Sequence, residues 1–432
     1  MRKIYNSRHI LVTILLLGSL FLFVLNGSTR FSFLSGSHGK AFAQLIQGDA
    51  SVKKMKMERV LTLEKRQPIY MRGETLVQIG ELEANQPVAI EGEDEAYYSI
   101  RFGKTIAFIP KGHGTVDSMK LLVSTHVDQL VAVKTVQRTD VYERADKHSK
   151  RFLQIEEGFR YPVIQETDDW YVIKMGERPG YIAKQSVVPD EGLPVLVYHH
   201  ILPSELMTTT ASTVSLESFE QQISYLADQS FKTLTAEQLY DYLEGRLIVP
   251  SRAVVITFDD GLLSSKEYAY PILKQYGFQA MQHIISSRTD RAQGTQLFDA
   301  NGPLQFLTAA EMADMRDVFQ YEAHTHELHA LEETEAGNVG IALGLSKERI
   351  MEDLQKNKEH LPSAITIAYP FGHYDEAFLE AAKETGLLIG FTTNEGYADR
   401  RASNYEVCRY GITEKKSFAQ FVQYVNGEME WE

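Results

Sequence analysis

The run VVITFDDG, Val254–Gly261, constrains this chain more than any other segment. A β-branched, apolar stretch of this kind reads as a buried strand, and it ends in two adjacent carboxylates and a glycine. Asp259 and Asp260 are thereby delivered together to the C-terminal edge of the strand. Two negative charges in one small space are costly unless a cation or a shared proton relieves them. A strand followed by a plain Asp-Gly turn accounts for the same residues. The second cluster downstream, His324, His326 and His329 in HTHELH, weighs against that simpler reading.

At 432 residues the chain is too long for one ordinary domain, and two or three are expected. A formal charge of −14 argues against nucleic acid or anionic lipid as the main partner. The single cysteine, Cys408, excludes an intramolecular disulfide and any cysteine-based zinc site. Exported proteins without disulfides fit a bacterial surface. The N-terminus carries the export signal. Arg2, Lys3 and Arg8 precede an apolar run from Ile10 to Leu25, and charge placed before the apolar segment sends the C-terminus outside. Residues 1–27 are therefore expected to be a signal anchor, or a signal peptide if cleavage occurs at Ala41-Phe42-Ala43. That small-residue triplet lies well beyond the apolar run, which favours the uncleaved anchor. The run is itself short of the roughly 20 residues a span needs. Residues 28–57 read as a linker, and the rest of the chain is expected at the extracellular face of the membrane or in the cell wall.

Two similar segments follow, Pro68–Gly112 and Asp140–Gln185. In each, a short strand with Tyr70 or Tyr142 precedes an alternating apolar strand. An acidic turn, an aromatic-rich strand (Tyr97-Tyr98; Trp170-Tyr171), a glycine turn and a closing strand come next. Short strands of period two with turns between them predict small all-β barrels. The DDWYVIKMG…GYI pattern resembles bacterial SH3-like domains, and the resemblance implies wall binding or a spacer role. The expected boundaries are 58–125 and 126–190.

From Leu193 the pattern changes to alternating strands and helices. Pro194–Tyr198, Ala253–Phe258, Ala280–Ile285 and Ile365–Tyr369 read as strands. Leu216–Gln229, Leu262–Tyr276, Ser346–His360 and Tyr374–Thr385 read as helices, and Thr235-x-x-Gln238 and Thr308-x-x-Glu311 as capping boxes. Repeated strand–helix units over 191–432 imply an α/β domain whose parallel sheet is closed into a barrel or doubly wound. In a barrel, catalytic groups sit at the C-terminal ends of strands, where Asp259 and Asp260 fall. One Asp plus two His is a set that holds a divalent cation while leaving positions open for water. His324 and His329 are five apart and cannot share a helical face, so a loop or distorted turn must aim them together. His326 reads as an exposed loop histidine, or as a ligand if the segment is extended. Phe298 and Phe306, in the long segment Asp290–Leu307, are candidates to line a sugar groove or to pack in the core.

TFDDG followed by an HT-containing histidine motif resembles the polysaccharide deacetylases, the NodB-type carbohydrate esterases. The resemblance covers about Leu193 to Val425. It implies a distorted (β/α) barrel, Asp259 as catalytic base, and Asp260, His324 and His329 as ligands of a divalent metal, zinc first with cobalt or nickel possible. The five-residue histidine spacing resembles the branch that deacetylates poly-N-acetylglucosamine. That branch carries a Tyr-His near the start of the domain, matched by Tyr198-His199, which implies His199 as general acid; His200 receives no role. The family's Arg-x-Pro-Tyr motif departs here to AYPFGHYDE. Ala368 stands where the arginine would be and Phe371 where the tyrosine would be, so Phe371 is left to supply an oxyanion-hole N–H. Arg409, in CRYGI, is a candidate to replace the missing arginine in orienting Asp259. The implied reaction is hydrolysis of N-acetyl groups from an N-acetylglucosamine polysaccharide with release of acetate. Peptidoglycan, an O-acetylated polymer or a non-catalytic wall-binding role are the alternatives.

Overall fold

The computed structural model describes residues 53–429, apart from 74, 125–130, 293, 295 and 336. The expected anchor, residues 1–27, and most of the linker 28–57 lie outside the described residues. Among the described residues no helix is long and apolar enough to cross a membrane.

The two repeated segments show the same pairing order. In the first, Gln67–Arg72 pairs with Leu76–Leu82 and Thr105–Pro110, and the last pairs with Tyr97–Phe102. In the second, Thr139–Tyr142 pairs with Arg151–Ile155 and Arg178–Ala183, and the last pairs with Trp170–Met175. The expectation of two separate barrels divided near residue 125 is not what the strands do. Leu153 pairs with Leu82 across the two segments, and Met175 with Phe102, so strands of both copies join one sheet that closes on itself. Ile79, Ile100 and Phe102 of the first copy share a core with Phe152, Ile173 and Ile182 of the second. A segment this small buries little on its own and leaves open edges, and pairing edge to edge removes both deficits.

This β region is attached to the α/β domain by backbone and by charge. Phe159–Val163 pairs with Val249–Pro250. Buried Arg160 donates to Asp190, and the other oxygen of that carboxylate accepts from the Tyr242 hydroxyl at 2.9 Å. Arg160 also donates to the carbonyls of Gly192 (3.0 Å) and Ser251 (2.8 Å), which helps meet the hydrogen-bond demand of a guanidinium taken out of water.

The α/β domain is built on a parallel sheet. Its strands run in the spatial order Ile389–Phe391, Thr366–Ala368, Phe319–Ala323, Ala280–Ile284, Ala253–Phe258, Val195–Tyr198 and Tyr410–Gly411. A parallel bridge between Phe391 and Val407 joins the first of these to the segment leading into the last, so the sheet closes as a distorted barrel. Alternate residues face opposite sides. Leu196, Ile256, Ile284 and Ile367 pack beneath the helices, whereas Val195, Val255, Met281 and Phe391 form the inner core. Above that apolar layer the inner face turns polar, at Thr257, Asp259, His283, Glu322 and His324.

The helix starts follow local chemistry. Thr235 and Thr308 both close reciprocal capping boxes, and Ser346 caps Lys347–His360. One helix starts later than its periodicity predicts. Leu262 is held in a bridge to Phe306, so the chain first forms a π-turn at Ser265–Ala269 and becomes α-helical only over Tyr270–Tyr276, with Pro271 in its first turn.

Candidate functional site

Asp259 and Asp260 follow the strand Ala253–Phe258 directly, at its C-terminal edge. Asp260 adopts φ 75° and Gly261 φ 71°, a left-handed pair that turns successive carboxylates in different directions. Gly261 is required there for a second reason, because a Cβ would lie 2.8 Å from Cδ1 of Ile284.

Asp259 points into the barrel and is 3% exposed. Arg409 grips it in a two-pronged pair, Nη1 to Oδ1 at 2.9 Å and Nη2 to Oδ2 at 2.8 Å. Arg409 is itself fixed by the Thr392 carbonyl at 3.1 Å and the Thr257 hydroxyl at 3.2 Å. It thus occupies the orienting position that the sequence motif left vacant at Ala368. Nδ1 of His283 lies 3.1 Å from Asp259 Oδ1, poorly aligned for a hydrogen bond, while its Nε2 meets the Thr366 hydroxyl at 3.0 Å. Burial pushes the Asp259 carboxyl up, but the Arg409 charge and the His283 contact outweigh burial and hold it well below the usual carboxylate range. Burial pushes His283 down to about 4, so it is neutral beside the ion pair.

Asp260 gathers the other two histidines. Its Oδ1 lies 3.5 Å from Nε2 of His324 and 3.2 Å from Nε2 of His329, and it has no hydrogen-bond partner. Nδ1 of His324 is 2.7 Å from the Ala368 carbonyl, which can only accept, so Nδ1 carries the proton and Nε2 presents a lone pair. A carboxylate oxygen facing an imidazole lone pair at that distance is repulsive unless a cation lies between them. Burial pushes His329 down to about 3, which keeps it an uncharged donor. One ligand atom from each of the three lies within 4.8 Å of the others. An orphaned buried carboxylate oxygen with a nitrogen donor set fits a divalent metal.

The HTHELH loop is aimed by a neighbouring helix. Thr325 takes φ 67° between His324 and His326. Asp353, on Lys347–His360, accepts from the backbone N–H groups of His326 (2.7 Å) and Glu327 (2.8 Å). One turn later Asn357 donates to the Thr325 carbonyl at 2.6 Å and to Ile284 at 3.0 Å. Arg288 closes the far side, donating to the His329 carbonyl at 3.2 Å.

His199 directly follows the strand Val195–Tyr198, whose Tyr198 pairs with Phe258 just before the Asp pair. His200 turns the other way, with Nδ1 2.7 Å from the Ser264 hydroxyl. Phe371 sits in the turn Pro370–Gly372 at φ 58°, with its ring over His329, centroids 4.3 Å apart. His326 does not join the cluster; its Nδ1 meets Ser286 at 3.0 Å. Phe298 packs edge-on against Tyr268 and against His200, whereas Phe306 lies under the Arg288 guanidinium at 4.9 Å. The structure therefore brings Asp259, Asp260, His324, His329, Phe371 and Arg409 together. Sequence reasoning missed His283, Asp353, Asn357 and Arg288. His283 carried one readable signal, a histidine inside the otherwise apolar strand AMQHI; Asp353 and Asn357 share a helical face at i and i+4.

Residues 248–390 match the family described as polysaccharide deacetylase. A poly-β-1,6-N-acetyl-D-glucosamine N-deacetylase of Staphylococcus aureus (strain MSSA476) is 32% identical over 210 residues, 47% of this chain and 68% of the relative. Among solved structures, the Streptococcus pyogenes deacetylase PplD in complex with acetate aligns with 25% identity and a TM-score of 0.47, over 54% of this chain and 98% of that one. IcaB from Ammonifex degensii aligns with 26% identity and a TM-score of 0.46, over 55% and 98%. The matched stretch carries both the Asp pair and the histidine loop, and the chain belongs to the polysaccharide deacetylase family, hydrolases that act on carbon–nitrogen bonds.

Proposed function

We propose that this chain removes N-acetyl groups from a poly-N-acetylglucosamine at the outer surface of the cell, releasing acetate and leaving free amines. The observation that carries the reading is the division of labour at the Asp pair. One carboxylate is locked to Arg409 and the next is orphaned between two imidazoles. The choice of polymer follows the 32% identical relative, whose name specifies the β-1,6-linked glucosamine.

A divalent cation held by Asp260, His324 and His329 would supply Lewis-acid polarisation of the acetyl carbonyl and acidify the attacking water. The chain's own residues do the rest. Asp259 takes the water's proton. Its two oxygens offer about four lone-pair directions, of which Arg409 takes two, so acceptor capacity remains for water. Because Asp259 stays ionised, it is always available as an acceptor. The Phe371 N–H is assigned to the developing oxyanion, a contribution of about 3 kcal/mol for a well-aimed donor. His199 returns a proton to the departing amine nitrogen, completing the exchange of C–N for C–O.

The charged N-terminal flank and apolar run support an extracellular position, and the paired β segments are assigned as an SH3-like spacer that engages wall polymer. The test is acetate release from purified β-1,6-linked poly-N-acetylglucosamine and from peptidoglycan, side by side and followed by mass spectrometry. Release from the first supports the reading. Release from peptidoglycan alone redirects it to the wall, and release from neither removes it.

A further inference from the structure

Behind the HTHELH loop lies a second group of ligating side chains. Left-handed Thr325 turns His326 away from His324, and the His326 ring stacks on that of His360, centroids 5.8 Å apart and planes 12° apart. His360 ends the helix Lys347–His360, and its Nδ1 lies 3.5 Å from Oδ1 of Asp290, in the short helix Ser286–Arg291. One ligand atom from each of Asp290, His326 and His360 lies within 4.8 Å of the others. We propose that these three side chains form a second divalent-cation site, of the zinc class, distinct from Asp260, His324 and His329.

Three observations carry this. The donor set is two imidazole nitrogens and one carboxylate oxygen, which suits a borderline transition ion and leaves a fourth position for water. The orientation of His326 is prepared. The Ser286 hydroxyl lies 3.0 Å from His326 Nδ1 and accepts from Asn357 Nδ2 at 3.0 Å. The contact engages Nδ1 whichever way the hydroxyl proton points, so the ring is held and Nε2 is the nitrogen left for a metal. The Ala368 carbonyl likewise engages Nδ1 of His324 and leaves its Nε2 facing Asp260. Finally, the group opens on a cavity of about 610 Å³ lined by Ser286, Asp290 and His360, which admits water to complete the coordination. An exposed His360–Asp290 ion pair at 3.5 Å is worth little by itself, and it gives no reason for His326 to be held in register beside it. A cation here would tie the histidine loop to two helices and so brace the backbone that carries His329.

The experiment is metal counting on the full chain after equilibration with zinc and dialysis, with circular dichroism as the check on folding. The expected result is two equivalents in the wild type and one in His360→Ala. Asp290→Asn, made separately because both side chains are exposed and neither substitution empties the core, should also bind one. His329→Ala should retain one equivalent, and His329→Ala/His360→Ala none. A wild type that binds one equivalent, unchanged by His360→Ala and Asp290→Asn, overturns the proposal. So does a second equivalent that persists in both variants, which marks adventitious surface binding. The count reads this site whether or not the chain releases acetate, so its failure is separable from failure of the proposed function.

Discussion

Arg409→Gln isolates the interaction that holds the assigned base. Arg409 and Asp259 are 1% and 3% exposed, and their two-pronged contact spans a sequence separation of 150 residues. Removing the guanidinium leaves a buried carboxylate without its cation, a change that typically costs about 3–5 kcal/mol. The protein escapes part of that cost by protonating Asp259. That protonation requires the carboxyl, held well below the usual carboxylate range beside Arg409, to move upward once the guanidinium is gone. Two consequences can be measured. Urea denaturation with a chelator present, which keeps bound metal out of the comparison, should show Arg409→Gln less stable by about 3–5 kcal/mol. In a cycle with Asp259→Asn, the double variant should be more stable than additivity predicts by at least about 2 kcal/mol, since it removes both buried charges. In the metal-loaded enzyme, the acid limb of kcat/KM should move upward in Arg409→Gln. Additivity within about 0.5 kcal/mol, together with an unmoved acid limb, would refute the assignment of Arg409 as the residue that orients and ionises Asp259.

Three further outcomes are expected. His199→Asn should lower kcat by about 10²–10⁴-fold with little change in KM or metal content; a wild-type kcat would remove His199 as the acid. Gly261→Ala forces a Cβ against Ile284 at a left-handed φ and should cost about 1–3 kcal/mol in thermal unfolding. It should also weaken metal affinity by displacing Asp260, which metal-buffer titration would detect. His283 is held neutral down to about 4 in the folded chain, whereas the unfolded chain takes up its proton near 6.5. The unfolded state therefore binds more protons between those values, so stability is full above pH 6.5 and is lost as pH falls to 4, by roughly 3 kcal/mol. Denaturation of the metal-free protein across that window should show this slope, and His283→Gln should flatten it.

What could be read in the sequence follows from how local each signal is. The Asp pair was legible because a strand, a turn and two carboxylates are contiguous, and the helix caps because a capping box spans four residues. The α/β class followed from periodicity alone. Arg409 was suggested only because the family motif lacked an arginine at Ala368, which left a role to fill. His283, Asp353, Asn357 and Arg288 were not found, because each acts through a partner brought close only by barrel closure or helix packing. The union of the two β repeats in one closed sheet was missed for the same reason. A repeat predicts what each copy forms and is silent on whether copies pair edge to edge, a choice made by the cost of unpaired strands. The delayed helix after Gly261 was hidden likewise, since the bridge from Leu262 reaches Phe306 across a long loop.

Barrel closure also imposes an order of assembly. Asp259 is synthesised long before Arg409, and the strand that follows Arg409 lies at the end of the sheet path, with the bridge between Phe391 and Val407 joining the segment before it to the other end. Until Arg409 docks, the carboxylate lacks the guanidinium that grips it in the folded chain. Completion of the fold and orientation of the assigned base are thus one event. A chain that already holds both the Asp pair and the histidine loop therefore still lacks the group that orients the assigned base until Arg409 is in place.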